Sequence, residues 1–189
     1  MSLNFDSFSS GQIASKIWLV QNLERALDEH FPTDKQGYRI WILAGWYGIT
    51  NFLLRTRGRI PILEVRSFDS DPECEPIADL INNLWVWSAW QFKAHTADVN
   101  KLEYNIRPDV VINSSVEHIE DHTWFDRIPQ GTFVCLQASS LAHDDHKNTF
   151  DDAHKLLEAY PLSECVYDGK KWFQYDDHGF YRVMIMGWK

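Results

Sequence analysis

Long apolar runs are missing from this sequence, and cysteine is scarce. No stretch approaches the roughly 20 apolar residues that a membrane-spanning helix needs, and the amino terminus has neither the basic start nor the apolar core of a signal peptide. The three cysteines, Cys74, Cys135 and Cys165, lie far apart and form no CxxC pair. This spacing excludes a disulfide framework and a structural zinc site. We expect a protein of the reducing cytoplasm with no membrane segment.

Basic residues are in the minority. The chain has 18 Lys and Arg residues against 27 Asp and Glu residues, which gives a net charge of -9. A surface of this charge repels phosphate backbones, so a nucleic-acid partner is disfavoured. The rest of the composition, 189 residues of which 44% are hydrophobic, is that of one globular domain with a full core.

Apolar periodicity predicts helices and strands in alternation. A helix within residues 1–37 precedes a domain over residues 38–189, and we expect the two to pack as one structural unit. Five strands are predicted at Tyr38–Ala44, Ile62–Phe68, Gln91–Ala97, Asp109–Asn113 and Thr132–Gln137. Helices are predicted at Ser10–Phe31, at Ile49–Thr56, from Pro72 onward and at Phe150–Ala159. Two last strands, near Cys165–Tyr175 and Phe180–Gly187, flank the turn-like cluster Asp176-Asp177-His178-Gly179.

This order predicts an α/β fold with a single doubly wound, mostly parallel sheet, helices on both faces and a C-terminal antiparallel strand pair. Ligands of such sheets bind at the carboxyl ends of the strands, near the point where the strand order reverses. The residues that directly follow the first four strands are therefore the candidates for a binding site.

The first three strand ends carry residues that suit a nucleoside ligand. Gly45-Trp46-Tyr47-Gly48 follows strand one, and its glycines permit a close backbone approach, although a plain tight turn would use them equally. Asp69 follows strand two, where a carboxylate can accept two hydrogen bonds from a ribose diol. Asp98 follows strand three, where it can accept a bond from an adenine amine or else cap a helix.

The fourth strand end carries the catalytic candidates. Asn113 and Ser114 can hydrogen-bond a ligand or a reacting amine. Glu117 and His118 are adjacent, and a histidine beside a carboxylate is a candidate proton acceptor near neutral pH. The alternative for His118 is that it packs beneath the loop.

The pattern resembles the class I S-adenosylmethionine-dependent methyltransferase family from Tyr38 to Trp188. The glycine loop, the two acids and the SVEHIED stretch follow the first four strands in the family's order. The terminal strand pair is what separates this fold from an ordinary dinucleotide-binding sheet. The resemblance implies S-adenosyl-L-methionine as the cofactor.

The resemblance also implies a role for each matching position. The loop glycines would line the methionine moiety, and Asp69 would hold the ribose hydroxyls. Asp98 would hold the adenine amine, while Asn113 and Ser114 would lie beside the sulfonium.

The glycine loop departs from the family's usual pattern. Leu43 stands where an acid normally precedes the first glycine, and Trp46 and Tyr47 occupy the usual glycine-rich step. Lys16 or Gln12 of the first helix is a candidate to replace the lost contacts with the methionine moiety. The two aromatics either cover the cofactor, with a ring face toward the sulfonium cation, or pack the helix onto the sheet.

The stretch Val116-Glu117-His118 is also similar to a motif of quinone-pathway O-methyltransferases and small-RNA end-methylating enzymes, where acids and a histidine bind a divalent cation. Ser114 stands in the place of one of those acids, so we predict no metal.

After strand five, His143 and His146 are three residues apart. They either contact substrate or transfer a proton at the rim of the site, or they belong to a solvated loop.

The resemblance and the absence of a recognition domain predict a methyltransferase that acts on a small polar acceptor, with His118 as proton acceptor and Glu117 raising its basicity. The alternatives are a non-catalytic S-adenosylmethionine-binding or assembly subunit, a nucleic-acid methyltransferase, and a dinucleotide-dependent oxidoreductase.

Trp85, Trp87 and Trp90 fit neither the helical nor the strand period. They either form an apolar patch for a homodimer or close the core.

Overall fold

The computed structural model describes residues 3–175 and 178–189. The strands are β1 (Tyr38–Leu43), β2 (Ile62–Asp69), β3 (Phe92–Thr96), β4 (Val110–Asn113), β5 (Phe133–Ser139), β6 (Glu164–Tyr175) and β7 (His178–Trp188). The α-helices are α1 (Ser10–His30), α2 (Ile49–Arg57), α3 (Cys74–Ile81), α4 (Asn83–Trp87), α5 (Thr123–Asp126) and α6 (Ala153–Ala159). Short 3-10 turns lie at Phe5–Phe8, Val99–Lys101 and Val116–His118.

The strands form one sheet in the order β3-β2-β1-β4-β5-β7-β6. The first five strands pair in parallel, whereas β7 runs antiparallel to both β5 and β6. The predicted mostly parallel sheet with a C-terminal antiparallel pair is therefore confirmed. The order reverses between β1 and β4, which places the expected ligand cleft above these strands. Two residues of the predicted turn, Asp176 and Asp177, lie outside the described residues.

Strand β1 shows why the sheet is buried on both faces. Ile40 and Ile42 point into a core shared with α1 and α2, while Trp41 and Leu43 point into a second core shared with α5 and α6. All four side chains are at most 3% exposed. An apolar run without alternation is what a strand covered on both faces requires.

The region around α3 and α4 differs in detail from the prediction. The helix expected from Pro72 begins at Cys74, because Asp71 instead accepts a hydrogen bond from the amide of Glu73 in the preceding turn. The tryptophans of this region differ in their burial. Trp85 packs partly against the core, whereas Trp87 is 86% exposed. None of the described helices is both long enough and apolar enough to cross a bilayer.

Candidate functional site

A cleft of about 760 Å³ opens at the carboxyl ends of the parallel strands. Its wall includes residues that directly follow β1, β2, β3, β4 and β5, together with parts of the amino-terminal segment and β7. The lining residues used below are Gln12, Trp46, Asp69, Asp98, Ser115, Glu117, His118, His146 and Arg182. The cavity thus lies at the carboxyl ends of the strands, which is the edge of the sheet where the sequence predicted a binding site.

The glycine loop has an unusual backbone. Ala44 and Trp46 both adopt φ 48°, and Gly48 adopts φ 71°. A Cβ on Gly45 would lie 2.0 Å from Oγ of Ser67, so the loop crosses β2 at a distance that only glycine permits. Left-handed backbone costs a residue other than glycine roughly 1–2 kcal/mol, and the loop carries two such residues at the cleft.

The two aromatics of the loop have different roles. Tyr47 is 5% exposed and packs with Cys74 and Ile77, so it attaches the loop to α3. Trp46 lines the cleft, and its amide donates a hydrogen bond to Oδ2 of Asp69 at 2.8 Å. Tyr47 therefore packs the loop onto its neighbours, and Trp46 contacts the same small core while also lining the cleft. That Trp46 covers the cofactor stays a prediction.

Two acids at the strand tips are held by backbone donors. Asp69 accepts the Trp46 amide on Oδ2 and the Asp71 amide on Oδ1, which fixes its carboxylate and leaves further lone pairs for a ligand. Asp98 accepts the Asn100 amide and pairs with Lys101, and these contacts lower its pKa. Asp98 is therefore both a cap of the following turn and a member of the cleft wall.

Asn113 and Ser114 lie beneath the cleft and are 0% and 5% exposed. Oδ1 of Asn113 accepts the amide of Ser115, and the carbonyl of Ser114 accepts a hydrogen bond from Arg182. Ser115 is the residue of this segment on the cleft wall. Side-chain contact between a ligand and Asn113 or Ser114 would require this segment to shift.

Glu117 is paired with an arginine rather than with its neighbour His118. Its Oε1 lies 2.5 Å from Nη1 of Arg182, and the two side chains are almost completely buried. Nη2 of Arg182 donates to the Ser114 carbonyl at 2.6 Å and to Oε1 of Gln137 at 3.0 Å. Arg182, on β7, thus pairs with the carboxylate that was predicted to raise the basicity of His118. Desolvation lowers the pKa of His118, while the charge of Glu117 still acts to raise it.

Two histidines meet above this pair. The rings of His118 and His146 are 4.7 Å apart and nearly perpendicular. Nδ1 of His118 lies 3.2 Å from the Asp145 carbonyl, and Nδ1 of His146 lies 2.6 Å from the Leu141 carbonyl. A carbonyl only accepts, so each Nδ1 donates its proton, and in the neutral form of either ring Nε2 has a free lone pair. Desolvation lowers the pKa of His118, which favours the neutral ring.

Behind the cleft lies a buried lysine on α1. Lys16 is 7% exposed, and its ammonium donates to Oε1 of Gln12 at 2.5 Å. Burial and, second, the charge of Arg182 lower its pKa from 10.5 to about 7. Of the two α1 residues that could replace the missing contacts of the loop, Gln12 faces the cleft and Lys16 supports it from behind.

No family model and no curated protein matches this chain, but solved structures resemble it. One is N-methyltransferase NodS from Bradyrhizobium japonicum WM9, at a TM-score of 0.67 and 12% identity over 94% of this chain and 88% of that one. The YcgJ protein from Bacillus subtilis gives 0.67 at 10% identity, covering 91% and 98%. Magnesium protoporphyrin IX methyltransferase (ChlM) from Synechocystis PCC 6803 gives 0.63 at 14% identity, covering 98% and 85%.

The chain has the class I methyltransferase-like fold. The likeness extends over nearly the whole chain, including the antiparallel pair that an ordinary dinucleotide-binding sheet lacks. At 10–14% identity it concerns the architecture and leaves the reaction to be argued from the site.

The sequence did not predict a role for Arg182 in the site, and it left the role of His146 open. Arg182 is 65 residues from Glu117 along the chain, so no local pattern joins them. The available signal was an arginine at the start of the apolar run Val183-Met184-Ile185-Met186, because a charge next to a buried run requires a partner.

Proposed function

We propose that this chain binds S-adenosyl-L-methionine in the cleft and transfers the methyl group to a small polar acceptor. One observation carries the proposal: Trp46, Asp69, Asp98 and Ser115 follow or end four different strands and line one cleft of about 760 Å³. That volume is typical of a small-molecule site. The NodS structure contains S-adenosyl-L-homocysteine, and a ChlM structure contains bound S-adenosylmethionine.

The charges of the cleft fit the proposed cofactor. Asp69 accepts hydrogen bonds from the ribose diol, and Asp98 accepts one from the adenine amine. The face of the Trp46 ring suits the sulfonium cation. Six acidic residues and one arginine line the cleft: Asp6, Asp69, Asp98, Glu117, Glu120, Asp145 and Arg182. This lining attracts a cation and repels the phosphates of a polynucleotide.

A second cavity supports a small acceptor. It has a volume of about 310 Å³ and shares Gln12, His143, Phe180 and Arg182 with the cleft, so the two spaces adjoin. A space of that size holds a metabolite rather than a polymer segment. The acceptor therefore approaches from between α1, the loop after β5 and strand β7.

Methyl transfer itself is an in-line displacement that depends on positioning. A lone pair of the acceptor oxygen or nitrogen forms the new bond to carbon, while the C–S bond breaks and its electron pair stays on sulfur. The proton of the acceptor passes to the lone pair on Nε2 of His118, a residue that lines the cleft. Base catalysis of this kind contributes ~10²–10⁴-fold.

Cofactor binding is tested by a cycle of two changes. Calorimetry with S-adenosyl-L-homocysteine and its 2′-deoxy analogue is compared in wild type and Asp69→Asn. If Asp69 holds the ribose, the variant loses about 2–4 kcal/mol with the full ligand, and deleting the hydroxyl then costs little more. Asp71→Asn is the matched control, because Asp71 lies two residues on and outside the cleft lining. If instead the loss of affinity from Asp69→Asn and the loss from removing the hydroxyl simply add when both changes are made, Asp69 does not bind the ribose.

Turnover is tested with methyl-labelled cofactor and fractionated cell extract. The label should enter the small-molecule fraction, and His118→Ala should lower turnover at least tenfold while cofactor affinity stays within about threefold. Label in RNA or DNA would refute the small acceptor. Cofactor binding without any labelled product would favour a non-catalytic binding subunit, and tight binding of a nicotinamide dinucleotide would favour an oxidoreductase.

A further inference from the structure

Three side chains converge at the inner end of the cleft. A carboxylate oxygen of Glu117 and ring nitrogens of His118 and His146 all lie within 4.8 Å of one another. His146 is 28 residues from His118 in the chain and reaches it through the loop after β5. We propose that these three residues bind a divalent transition-metal ion.

The two imidazoles are already in the tautomer that a metal requires. Each ring donates its Nδ1 proton to a backbone carbonyl, of Asp145 for His118 and of Leu141 for His146. Each Nε2 is consequently a lone-pair donor. Histidine ligands of metals characteristically make this outer hydrogen bond, which fixes ring orientation and raises ligand basicity.

Glu117 supplies an independent indication. Its side chain is 2% exposed, and Oε2 has no hydrogen-bond partner among the described residues. A buried carboxylate oxygen that lacks a donor is costly, and a cation at this position removes that cost. Arg182 holds Oε1 from the other side and so fixes the carboxylate, as the outer hydrogen bonds of ligating carboxylates do.

The donor set selects the class of ion. Two imidazoles and one carboxylate suit Zn²⁺, Co²⁺, Fe²⁺ or Mn²⁺, whereas Mg²⁺ and Ca²⁺ prefer oxygen ligands alone. Three protein ligands leave coordination positions open, and all three residues line the cleft. Because a bound ion would occupy the lone pair on Nε2 of His118, the ion would take over the role proposed above for that base: a cation here would lower the pKa of a hydroxyl that coordinates it and so help an oxygen acceptor to lose its proton.

Binding of the ion is measured without cofactor or turnover, so it does not depend on the proposed methyl transfer. Chelator-treated protein is titrated with Zn²⁺ by calorimetry and with Co²⁺ by visible absorption. We expect one ion per chain, and we expect His118→Ala, His146→Ala and Glu117→Gln each to weaken binding at least tenfold. His143→Ala is the matched control, since His143 lies beside His146 but outside the three-residue set.

Folding of each variant is checked by circular dichroism, and His146→Gln keeps a polar side chain of similar length if the alanine variant unfolds. Zn²⁺ should raise the melting temperature of wild type and His143→Ala but not of His146→Gln. Three results would overturn the proposal: no ion bound by wild type, binding that survives the loss of His146, or displacement of Co²⁺ by Mg²⁺ at comparable concentration.

Discussion

Replacing Lys16 by methionine should stabilise the protein, and the gain should depend on pH. Lys16 is 7% exposed, and desolvation is the largest cause of a pKa lowered from 10.5 to about 7. The unfolded chain therefore binds this proton more tightly than the folded one. The cost of burying the cation is full below pH 7, and it disappears as the pH rises toward 10.5.

The magnitude follows from the two pKa values. Each pKa difference of one corresponds to 1.36 kcal/mol, so the charged form of Lys16 costs roughly 4–5 kcal/mol at pH 6. The substitution also removes the hydrogen bond to Gln12, worth about 1 kcal/mol. We expect Lys16→Met to gain about 3–4 kcal/mol at pH 6 and to leave stability almost unchanged near pH 10, where the remaining burial cost roughly equals the lost hydrogen bond.

Urea unfolding of wild type and Lys16→Met between pH 6 and pH 10 measures this difference directly, since other titrating groups cancel between the two proteins. Lys147→Met, at an exposed position, controls for the loss of a lysine as such. A stability difference that stays constant over the pH range would refute the reasoning, because it would mean that Lys16 keeps an ordinary pKa in the folded protein.

Three further predictions concern other parts of the structure. Gly45→Ala should cost about 1–3 kcal/mol by thermal unfolding, because its Cβ meets Oγ of Ser67 at 2.0 Å, and adding Ser67→Gly should recover part of the loss. Glu117→Gln should cost about 3–5 kcal/mol in urea, because it leaves the charge of Arg182 buried and unpaired; Arg182→Met added to it should restore stability, and no recovery would contradict this account. Trp87→Ser should change stability by less than about 0.5 kcal/mol, since the side chain is 86% exposed. A wild-type dimer in sedimentation that this variant dissociates would identify the exposed tryptophan as an interface residue.

The sequence was sufficient for the order of the elements and for the edge of the sheet that carries the cleft. Strand β1 was predicted at Tyr38–Ala44 and is found at Tyr38–Leu43, and α1 was predicted at Ser10–Phe31 and is found at Ser10–His30. Such elements are readable because burial of one face or both leaves a local period in the chain. Asp69 and Asp98 could be placed because parallel strands bring their carboxyl ends to one edge.

Only the tertiary structure decided which of these residues meet. It paired Glu117 with Arg182, brought His146 to His118, and sent Tyr47 into the core while leaving Trp46 in the cleft. These contacts depend on the order of strands in the sheet and on the path of the loop after β5. A periodic pattern reports how deeply each side of an element is buried, but it carries no information about which distant element covers it, because that choice is made by packing over the whole chain.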